Sequence, residues 1–523
     1  MAARVWIFAL IIAALTTLPY LVGWAAAGDD WVFNGFTIGT EDGNAYLGKM
    51  RIGARGGWEF HLFYSPEKTD SAFGLYLPYI ATGHLVGLFV NENTPELANA
   101  LAIAFQVFRI FASVVLVLAI YAFVAEFIRA PQTRWLALIL STLGTGLGWL
   151  LVLTGQGKLL GTQPVEFYIP EGFSFLVIFA LPHVAVARAA ILFGLIFLFR
   201  SLNNQRWQEA ALAGILWNLV GLMVTFYLPV IYGVLGAWGA ALWVKKRQFP
   251  LQFTLLGGLA AALTAPLFLY NIWLFSANDA FARWSSQNYL PSPHPIHYLF
   301  GYGLLAVLAV AGGRWAWKKG TEKHLLLVSW VLLVPILVYL PINVQRRLLE
   351  AFFIPLVILA VVGLKLVARH TKPFKRARLV VLVALLPSMF LLWVGSIFTL
   401  TKPDFPAFHP RAETNAMDWL AKYAEADSVV MGAFDTGNYL PARTNLRPFL
   451  GHGPETLDSD DKSELVKKFY REELSPAEIQ QLFSDFNIQY VMFGPLERKI
   501  KGDWNSNLAL IYDQDNYQIY EVK

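Results

Sequence analysis

Residues 97–128, LANALAIAFQVFRIFASVVLVLAIYAFVAEFI, decide the fold class of this chain. Arg109 and Glu126 are the charged residues in this run. A helix rises about 1.5 Å per residue, so roughly 20 mostly apolar residues cross the hydrocarbon core of a bilayer. The run exceeds that length, which predicts a transmembrane helix.

Similar apolar runs recur along the chain and predict a polytopic α-helical membrane protein with about 11 transmembrane helices. The predicted spans are 4–27, 97–128, 134–154, 173–200, 209–226, 228–244, 251–274, 297–315, 323–341, 348–369 and 378–400. A shorter apolar run at 76–90 suits a helix that lies along the outer membrane surface.

Composition agrees with lipid as the main solvent of the chain. Hydrophobic residues make up 56% of the 523 positions and charged residues only 15%, whereas soluble domains carry about 25% charge. Cysteine is absent, which excludes disulfides, thiolate metal sites and a cysteine nucleophile. The high pI comes from the inner loops described next, so no nucleic-acid partner is expected.

Basic residues fall on alternate loops, as the positive-inside rule requires. With a cytoplasmic N-terminus, the inner loops hold Arg129, Arg134, Arg200, Arg206, Lys245, Lys246, Arg247, Arg314, Lys318, Lys319, Lys323, Lys365, Arg369, Lys372, Lys375, Arg376 and Arg378. Loop 28–96 and the C-terminal domain then lie outside, and the expected location is a prokaryotic plasma membrane. The first span ends in Ala25-Ala26-Ala27, so a cleaved signal peptide remains an alternative.

The charge balance and the sequence pattern both change near residue 402. From Lys402 onward there are 13 Lys and Arg against 20 Asp and Glu, whereas the preceding chain has 28 against 16. We therefore predict a transmembrane domain at 1–403, which includes outer loop 28–96, and an extracytoplasmic α/β domain at 404–523. Its predicted helices are 411–424, 458–472 and 476–485, and its predicted strands are 428–432, 488–493, 508–512 and 517–522.

An acidic pair, Glu41 and Asp42, lies just outside the first predicted span. Transfer of a group to a hydroxyl or amine benefits from a carboxylate that accepts the acceptor proton. Loops at the membrane surface can bring such a group to a lipid-linked headgroup. The alternative is that a long outer loop contains acids because it is solvated.

Two further clusters place charge near predicted spans. His183 and Arg188 follow Pro182 within the fourth span, where a charge should face protein, water or an anion, and Pro182 should open the backbone ladder. Their alternative is an interhelical histidine and an arginine paired with Glu126 or a carbonyl. Arg346 and Arg347 precede the tenth span on the outer side, and their planar forks suit a phosphate. An ion pair of Arg346 with Glu350 is the alternative there.

Aromatic and amide side chains between prolines in outer loop 275–297 predict either a sugar-binding surface or an interfacial aromatic belt. They are Trp284, Gln287, Asn288, Tyr289 and His294. In the tail, residues 435–441 and the stretch 451–456 around His452 read as polar loops or plain turns. Glu41, Asp42, Glu166 and Glu171 supply oxygen ligands for a possible divalent cation, Mg or Mn.

These residues resemble the polytopic GT-C-fold glycosyltransferases, which use polyprenyl-phosphate sugars, and in particular protein mannosyltransferases and aminoarabinose transferases. The resemblance is carried by Glu41-Asp42-Gly43-Asn44-Ala45-Tyr46, Glu171, Pro182-His183, Gln345-Arg346-Arg347, Gly437–Pro441 and Gly451–Thr456. It implies that Asp42 is the catalytic base or a metal ligand, with Glu41 as its partner.

The resemblance also implies transfer of a sugar from a polyprenyl-phosphate donor to a lipid, glycan or protein acceptor outside the membrane. Arg346 and Arg347, with Arg188 or His183, would then bind the donor phosphate. Tyr46, Glu171, Trp284, Gln287, Asn288 and His452 are the candidate substrate-binding residues. A transporter or flippase of an amphiphilic lipid and a non-catalytic envelope assembly factor are the competing interpretations.

Overall fold

The computed structural model describes residues 3–92, 94–368, 374–502, 504 and 507–522, without the side chains of 374 and 375. Arg369 and Lys372, both predicted to be cytoplasmic, lie outside the described residues, as does the side chain of Lys375. The apolar helices are Ala3–Ala26, Glu96–Phe127, Pro131–Leu143, Gly148–Leu153, Ser174–Ala180, Pro182–Asn204, Trp207–Met223, Leu228–Lys246, Leu251–Ala262, Ala265–Ala277, Pro295–Lys319, Glu322–Leu337, Phe353–Ala368, Phe374–Leu385 and Pro387–Leu400.

Membrane-spanning length is reached by six helical stretches of the described chain: Ala3–Ala26, Glu96–Phe127, Pro182–Asn204, Thr225–Lys246, Pro295–Lys319 and Arg376–Leu400. Two of them, Thr225–Lys246 and Arg376–Leu400, each join two consecutive helical elements. The pair Leu251–Ala262 and Ala265–Ala277, bent by 48°, makes a seventh if it counts as one span. The prediction of a helical membrane protein with a C-terminal α/β domain is confirmed. The number of about 11 spans stays a prediction.

Proline explains where several of these helices begin. Its fixed φ suits the first helical turn, where the N–H it lacks has no intrahelical partner. Pro182 occupies that position after Leu181 ends the helix Ser174–Ala180. The predicted span 173–200 is therefore two helices, as expected from Pro182. The predicted span 378–400 is likewise divided before Pro387.

Contacts divide the chain into two compact units, each assembled from separate segments. The first, which we call the membrane unit, comprises 1–17, 108–273 and 289–395, and the second, the outer unit, comprises 18–107, 274–288 and 396–523. In the membrane unit, helix Pro295–Lys319 packs closely on Phe353–Ala368. A Cβ on Gly312 would lie 1.9 Å from the Leu359 carbonyl oxygen, so only glycine allows this approach.

The outer unit contains a five-stranded mixed sheet whose strand order is Arg447–Pro448, Val429–Met431, Ile488–Phe493, Tyr517–Glu521 and Ala509–Gln514. The first three strands are parallel to one another. Tyr517–Glu521 runs antiparallel to both of its neighbours, Ile488–Phe493 and Ala509–Gln514. Phe469, Tyr470 and Trp504 pack on one another beside this sheet. Burial of each such aromatic side chain contributes about 1.5–3 kcal/mol.

Helices and short strands complete the outer unit. The helices are Thr40–Ala54, Leu77–Gly87, Asp279–Gln287, Arg411–Tyr423, Phe434–Arg443, Ser459–Tyr470, Pro476–Asp485 and Pro495–Arg498. Strand Trp31–Phe33 pairs with Phe408–Pro410, and Glu59–Phe60 pairs with Ala72–Phe73.

The membrane unit also has four short 3-10 turns among its described residues, at Val165–Phe167, Pro170–Gly172, Thr225–Tyr227 and Gln345–Leu349.

One prediction for the tail is wrong. Residues 435–441, interpreted as a loop or turn, form most of the helix Phe434–Arg443. Gly437 and Pro441 are poor helix formers, so local propensity argued against a helix. Packing overrides this local preference. The helix lies so close to Leu450 that a Cβ at Gly437 would be 1.9 Å from the Leu450 carbonyl oxygen, so the glycine is required by the packing.

Candidate functional site

The acidic pair occupies the first turn of a helix and not an irregular loop. Glu41 and Asp42 are the acidic residues in the first turn of Thr40–Ala54. Carboxylates are stabilised there by the unpaired N–H groups and the positive end of the helix dipole. The Asp42 side chain is 58% exposed and the Glu41 side chain 43%. Asp42 is therefore open to a reaction partner.

The stretch 451–458 brings a histidine against this pair. The Gly453 N–H donates to Glu41 Oε1 at 2.7 Å. His452 Nε2 lies 3.6 Å from Asp42 Oδ1, and His452 Nδ1 lies 3.8 Å from Glu41 Oε1. Residues some 400 positions apart in sequence thus share one site. His452 thus lies beside the candidate catalytic carboxylates, and its predicted contact with a substrate stays a prediction.

Hydrogen bonds within the loop and to two other segments of the chain fix its position. Thr456 Oγ1 accepts the N–H groups of Gly451 and His452 at 3.3 and 3.1 Å. The same hydroxyl donates to the Tyr64 carbonyl oxygen at 2.9 Å. Gln287 Nε2 donates to the Thr456 carbonyl oxygen at 2.8 Å. The loop is therefore preorganised, which holds His452 in place beside Asp42.

The hydrogen bonds of His452 also assign its tautomer. The Glu455 N–H donates to Nδ1 at 3.2 Å, so the neutral ring carries its proton on Nε2, which faces Asp42. Burial would lower the pKa of His452, but the carboxylates Glu455, Asp42 and Glu41 outweigh burial and raise it above the ordinary value. A second proton, on Nδ1, would displace the Glu455 N–H and face Glu41.

The raised pKa predicts a pH-dependent stability. A histidine whose folded-state pKa is raised stabilises the fold fully below its unfolded pKa of about 6.5 and loses that contribution as pH rises through the folded value. We expect the difference in melting temperature between wild type and His452→Gln to be largest below a pH of about 6.5 and to shrink as pH rises through the raised pKa of His452. Thermal unfolding at a fixed scan rate measures it. The exposed His294→Gln should not change the pH profile, and an equal change there would contradict the assignment.

A buried ion pair lies beneath the histidine. Lys49 Nζ contacts Glu455 Oε1 at 2.6 Å, and both side chains are almost fully buried. Lys49 Nζ also lies 4.1 Å from the centre of the Tyr76 ring. Burial lowers the pKa of Lys49, against the opposing effect of Glu455 and Asp42. A positive charge is thus held close to the acidic pair, in a place where its attraction is little screened.

Lys49 and Glu455 are functional candidates that sequence reasoning missed. Asp42, Tyr46 and Lys49 follow a helical i, i+4, i+7 spacing, which places them on one face. That signal is readable only once residues 40–54 are recognised as a helix. Tyr46 itself stacks on Tyr79 with ring centres 4.5 Å apart. Glu455 gives no comparable signal, because its neighbours come from distant segments.

In the membrane unit, a second cluster centres on Glu171. Its Oε1 accepts hydrogen bonds from Arg347 Nη1 at 2.7 Å and from the Tyr227 hydroxyl at 3.1 Å. Glu171 is buried, whereas 27% of the Arg347 side chain stays exposed. Arg346 lies over the Tyr168 ring at 5.3 Å. Glu171 is therefore placed to orient a guanidinium group that solvent or a ligand can reach.

Arg188 and Glu350 form a fully buried bidentate pair, with distances of 2.7 and 2.8 Å. Arg188 also donates to the carbonyl oxygens of Pro170 and Glu171. The alternative that Arg188 bonds a carbonyl is confirmed, but its pairing with Glu126 is wrong, since Glu126 pairs with Lys323. The alternative pair of Arg346 with Glu350 is also wrong, because Glu350 pairs with Arg188. Sequence spacing favours local partners, whereas the buried guanidinium requires a carboxylate from another helix.

The remaining predicted residues have varied surroundings. His183 is half-buried in the first turn of Pro182–Asn204. Trp284 is buried against Phe60, and Asn288 is the C-terminal cap of helix Asp279–Gln287. Trp284 and Gln287 thus hold the outer unit together. Their predicted contact with a sugar stays a prediction.

No group of three or more His, Asp or Glu side chains that could hold a metal ion occurs within the described residues. Glu166 Oε1 accepts the Gly148 N–H at 2.6 Å, and Glu171 binds Arg347. Glu41 Oε1 is already an acceptor for Gly453, and His452 presents an N–H towards Asp42. Mg and Mn require several converging oxygen ligands, so the residues around Asp42 do not fit such a site in this arrangement.

No protein-family model matches the sequence, and no curated protein matches it. The structure is similar to that of the Archaeoglobus fulgidus oligosaccharyltransferase tethered with an acceptor peptide, with a TM-score of 0.54, 13% identity and coverage of 94% of this chain and 68% of that one. The structure of the oligosaccharyltransferase from the same organism with an inhibitory peptide and a dolichol-phosphate has a TM-score of 0.51 and 13% identity, with coverage of 94% of this chain and 69% of that one. The complex with Zn and sulfate has a TM-score of 0.51 and 14% identity, with coverage of 93% of this chain and 67% of that one. At this identity the likeness concerns the fold, and the predicted GT-C fold is confirmed at that level: the chain has the fold of an archaeal oligosaccharyltransferase.

Proposed function

We propose that the protein is a membrane glycosyltransferase that moves a sugar from a polyprenyl-phosphate donor to an acceptor on the extracytoplasmic side. The observation that carries the proposal is the Asp42–His452 contact on a fold shared with an oligosaccharyltransferase. A related protein of that fold was solved with a dolichol-phosphate, which supports a lipid-linked donor. The oligosaccharyltransferase structure tethered with an acceptor peptide supports a protein acceptor, beside lipid or glycan acceptors.

Asp42 would act as the general base. His452 Nε2–H faces Asp42 Oδ1, and the Asp42 side chain is 58% exposed, so it can accept the proton of the acceptor hydroxyl or amine. The acceptor atom then forms the new bond at the anomeric carbon while the bond to the phosphate oxygen breaks, and the phosphate leaves with the electron pair. A single displacement of this kind inverts the anomeric configuration. Glu41 would act through the loop, because it holds the Gly453 N–H.

The leaving phosphate needs positive charge, which Arg347 and Arg346 would supply. Charge that develops in the transition state is best stabilised by donors already oriented. Glu171 orients Arg347 through a 2.7 Å bond. His183, at the N-terminus of a helix, is proposed as an additional phosphate contact. Arg188, bound to Glu350 on one side and to two carbonyl oxygens on the other, would position the backbone at Glu171.

A divalent cation, implied by the resemblance to the GT-C family, is not given a role in these steps. The donor set around Asp42 does not fit Mg or Mn, so the proposed chemistry uses only the side chains of this chain. Positive charge near the acidic pair comes from Lys49 and from protonated His452. Tyr46, Trp284, Gln287 and Asn288 would line the acceptor or sugar path.

The proposed placement has about 11 spans, a cytoplasmic N-terminus and a prokaryotic plasma membrane. Residues 1–403 would form the transmembrane domain and 404–523 the extracytoplasmic α/β domain. The alternation of basic loops supports this orientation. Apolar helices shorter than a full span, such as Phe353–Ala368, and broken pairs such as Ser174–Ala180 with Pro182–Asn204 support the higher number of spans.

The test begins with mass spectrometry of lipids that copurify with the protein, followed by a transfer assay with the polyprenyl-phosphate sugar found. We expect Arg347→Ala to lower kcat by about 10²-fold, because it removes one oriented donor to the leaving group, with a smaller change in KM for the acceptor. The exposed Arg206→Ala is the matched control. Recovery of no such lipid, or no transfer by wild type, would favour a transporter or an assembly factor.

A further inference from the structure

A polar cavity of about 300 Å³ lies in the outer unit, at the end of helix Thr40–Ala54 opposite the acidic pair. Asp42 and Arg51 are nine residues apart on this helix, which corresponds to about 14 Å along its axis. The lining residues are Arg51, Glu92, Thr94, Pro95, Asp418, Ala421, Lys422, Arg443, Thr444 and Asn445. Its volume is at the lower end of the range for small-molecule sites.

The acids of this cavity are already engaged by cations. Asp418 forms a bidentate pair with Arg443, with distances of 2.7 and 2.6 Å. Glu92 lies 3.7 Å from Arg55. Arg51 and Lys422 also line the cavity, and the described residues provide no carboxylate within ion-pair distance of either. The cavity therefore has an excess of positive charge that is not neutralised by its own side chains.

Arg51 is the more informative of these two cations because it is almost completely buried. Its Nη2 donates to the carbonyl oxygens of Ala442 and Arg443 at 3.3 and 2.8 Å, while its Nε has no hydrogen-bond partner among the described residues. Burial, followed by the charges of Arg443 and Arg55, lowers the pKa of Arg51 to about 10. A buried guanidinium without a carboxylate is costly unless an anion accompanies it.

We propose that this cavity binds a small anion through a phosphate or carboxylate group held between Arg51 and Lys422. Planar guanidinium groups bind oxyanions with charge-assisted hydrogen bonds. Lys422 adds a flexible ammonium from helix Arg411–Tyr423, and Thr444 and Asn445 add neutral polar groups. This ligand goes beyond the proposed transfer reaction, since neither the acid pair nor His452 lines the cavity.

The experiment measures thermal stability of the full-length protein in detergent at constant ionic strength. The probes are inorganic phosphate, succinate and a short-chain phosphatidylglycerol, with chloride as the reference anion. A ligand that binds the folded state alone raises the melting temperature with its concentration. Lys422→Ala removes an exposed cation with little effect on packing, and Arg51→Lys keeps the charge but removes the planar fork. Lys467→Ala, which removes an exposed side chain of helix Ser459–Tyr470 outside the cavity, is the control.

We expect at least one anion to stabilise wild type and Lys467→Ala equally, and to bind Lys422→Ala and Arg51→Lys about tenfold more weakly or worse. Stabilisation by phosphate or succinate identifies a soluble anion, and stabilisation by the lipid alone identifies a headgroup. Either result supports the site. A response that is the same in all variants, or no response to any probe, overturns it. The readout needs no catalytic activity, so its failure is distinct from failure of the proposed function.

Discussion

Asp42→Asn is expected to lower the rate of sugar transfer by about 10²–10⁴-fold while the protein still folds and inserts. The substitution keeps the size of the side chain but removes the proton acceptor, and general-base catalysis contributes an effect of this order. The measurement is kcat/KM with the copurified donor, together with the melting temperature of the variant. His452 still has an oxygen to face, so the loop 451–458 should remain in place.

Glu41→Gln separates chemistry from architecture at the same site. A glutamine Oε1 can still accept the Gly453 N–H, which Glu41 accepts at 2.7 Å, so we expect a much smaller loss than for Asp42→Asn. Asp485→Asn, at an exposed position in helix Pro476–Asp485, serves as the control. Full activity of Asp42→Asn, or equal losses in both site variants, would contradict the assignment of the base.

Glu350→Leu is expected to destabilise the membrane unit by about 3–5 kcal/mol. Removal of one partner of a buried ion pair leaves an uncompensated charge in a low-dielectric environment, and Arg188 and Glu350 are both fully buried. Unfolding in mixed micelles gives the free energy of unfolding. The double variant Arg188→Met with Glu350→Leu should recover part of the loss. It should not recover all of it, because Arg188 also serves the carbonyl oxygens of Pro170 and Glu171.

A partly exposed pair in the same unit provides the comparison for this effect. Lys323 and Glu126 contact each other at 2.7 Å, with side chains 28% and 30% exposed. Solvent screens such a pair, so Lys323→Met should cost about 0–1 kcal/mol. Similar losses for Lys323→Met and Glu350→Leu would show that burial does not set the strength of the Arg188 pair.

Periodicity and charge predict much of this fold. Apolar runs predict the membrane helices. In the tail, helical and strand-like hydrophobic patterns predict the elements: the predicted helix 411–424 is Arg411–Tyr423, and the predicted strand 488–493 is Ile488–Phe493. These elements are predictable because a single local period determines each of them. The helix Phe434–Arg443 is not, since it depends on the close approach of Leu450 to Gly437.

The candidate site is less accessible to sequence reasoning. Asp42 is suggested by its place after the first span, but its contacts with His452 arise from segments some 400 residues apart. The alternative that pairs Glu350 with Arg346 is wrong, because spacing along the chain suggests a local partner, whereas the buried Glu350 pairs with Arg188 of another helix. Lys49 lies on the same helix as Asp42 but is hard to recognise from the sequence, because residues 40–54 contain three glycines and carry little amphipathic pattern.

The division of the outer unit into the segments 18–107, 274–288 and 396–523 has a consequence for biosynthesis. As the ribosome synthesises the chain, Asp42 emerges early, yet Gln287 and then His452 emerge only after most of the apolar helices have been made. Glu41 and Asp42 therefore lack their contact with His452 until translation is nearly complete. A chain that ends between residues 401 and 451 therefore lacks this site but keeps every apolar helix of the described chain.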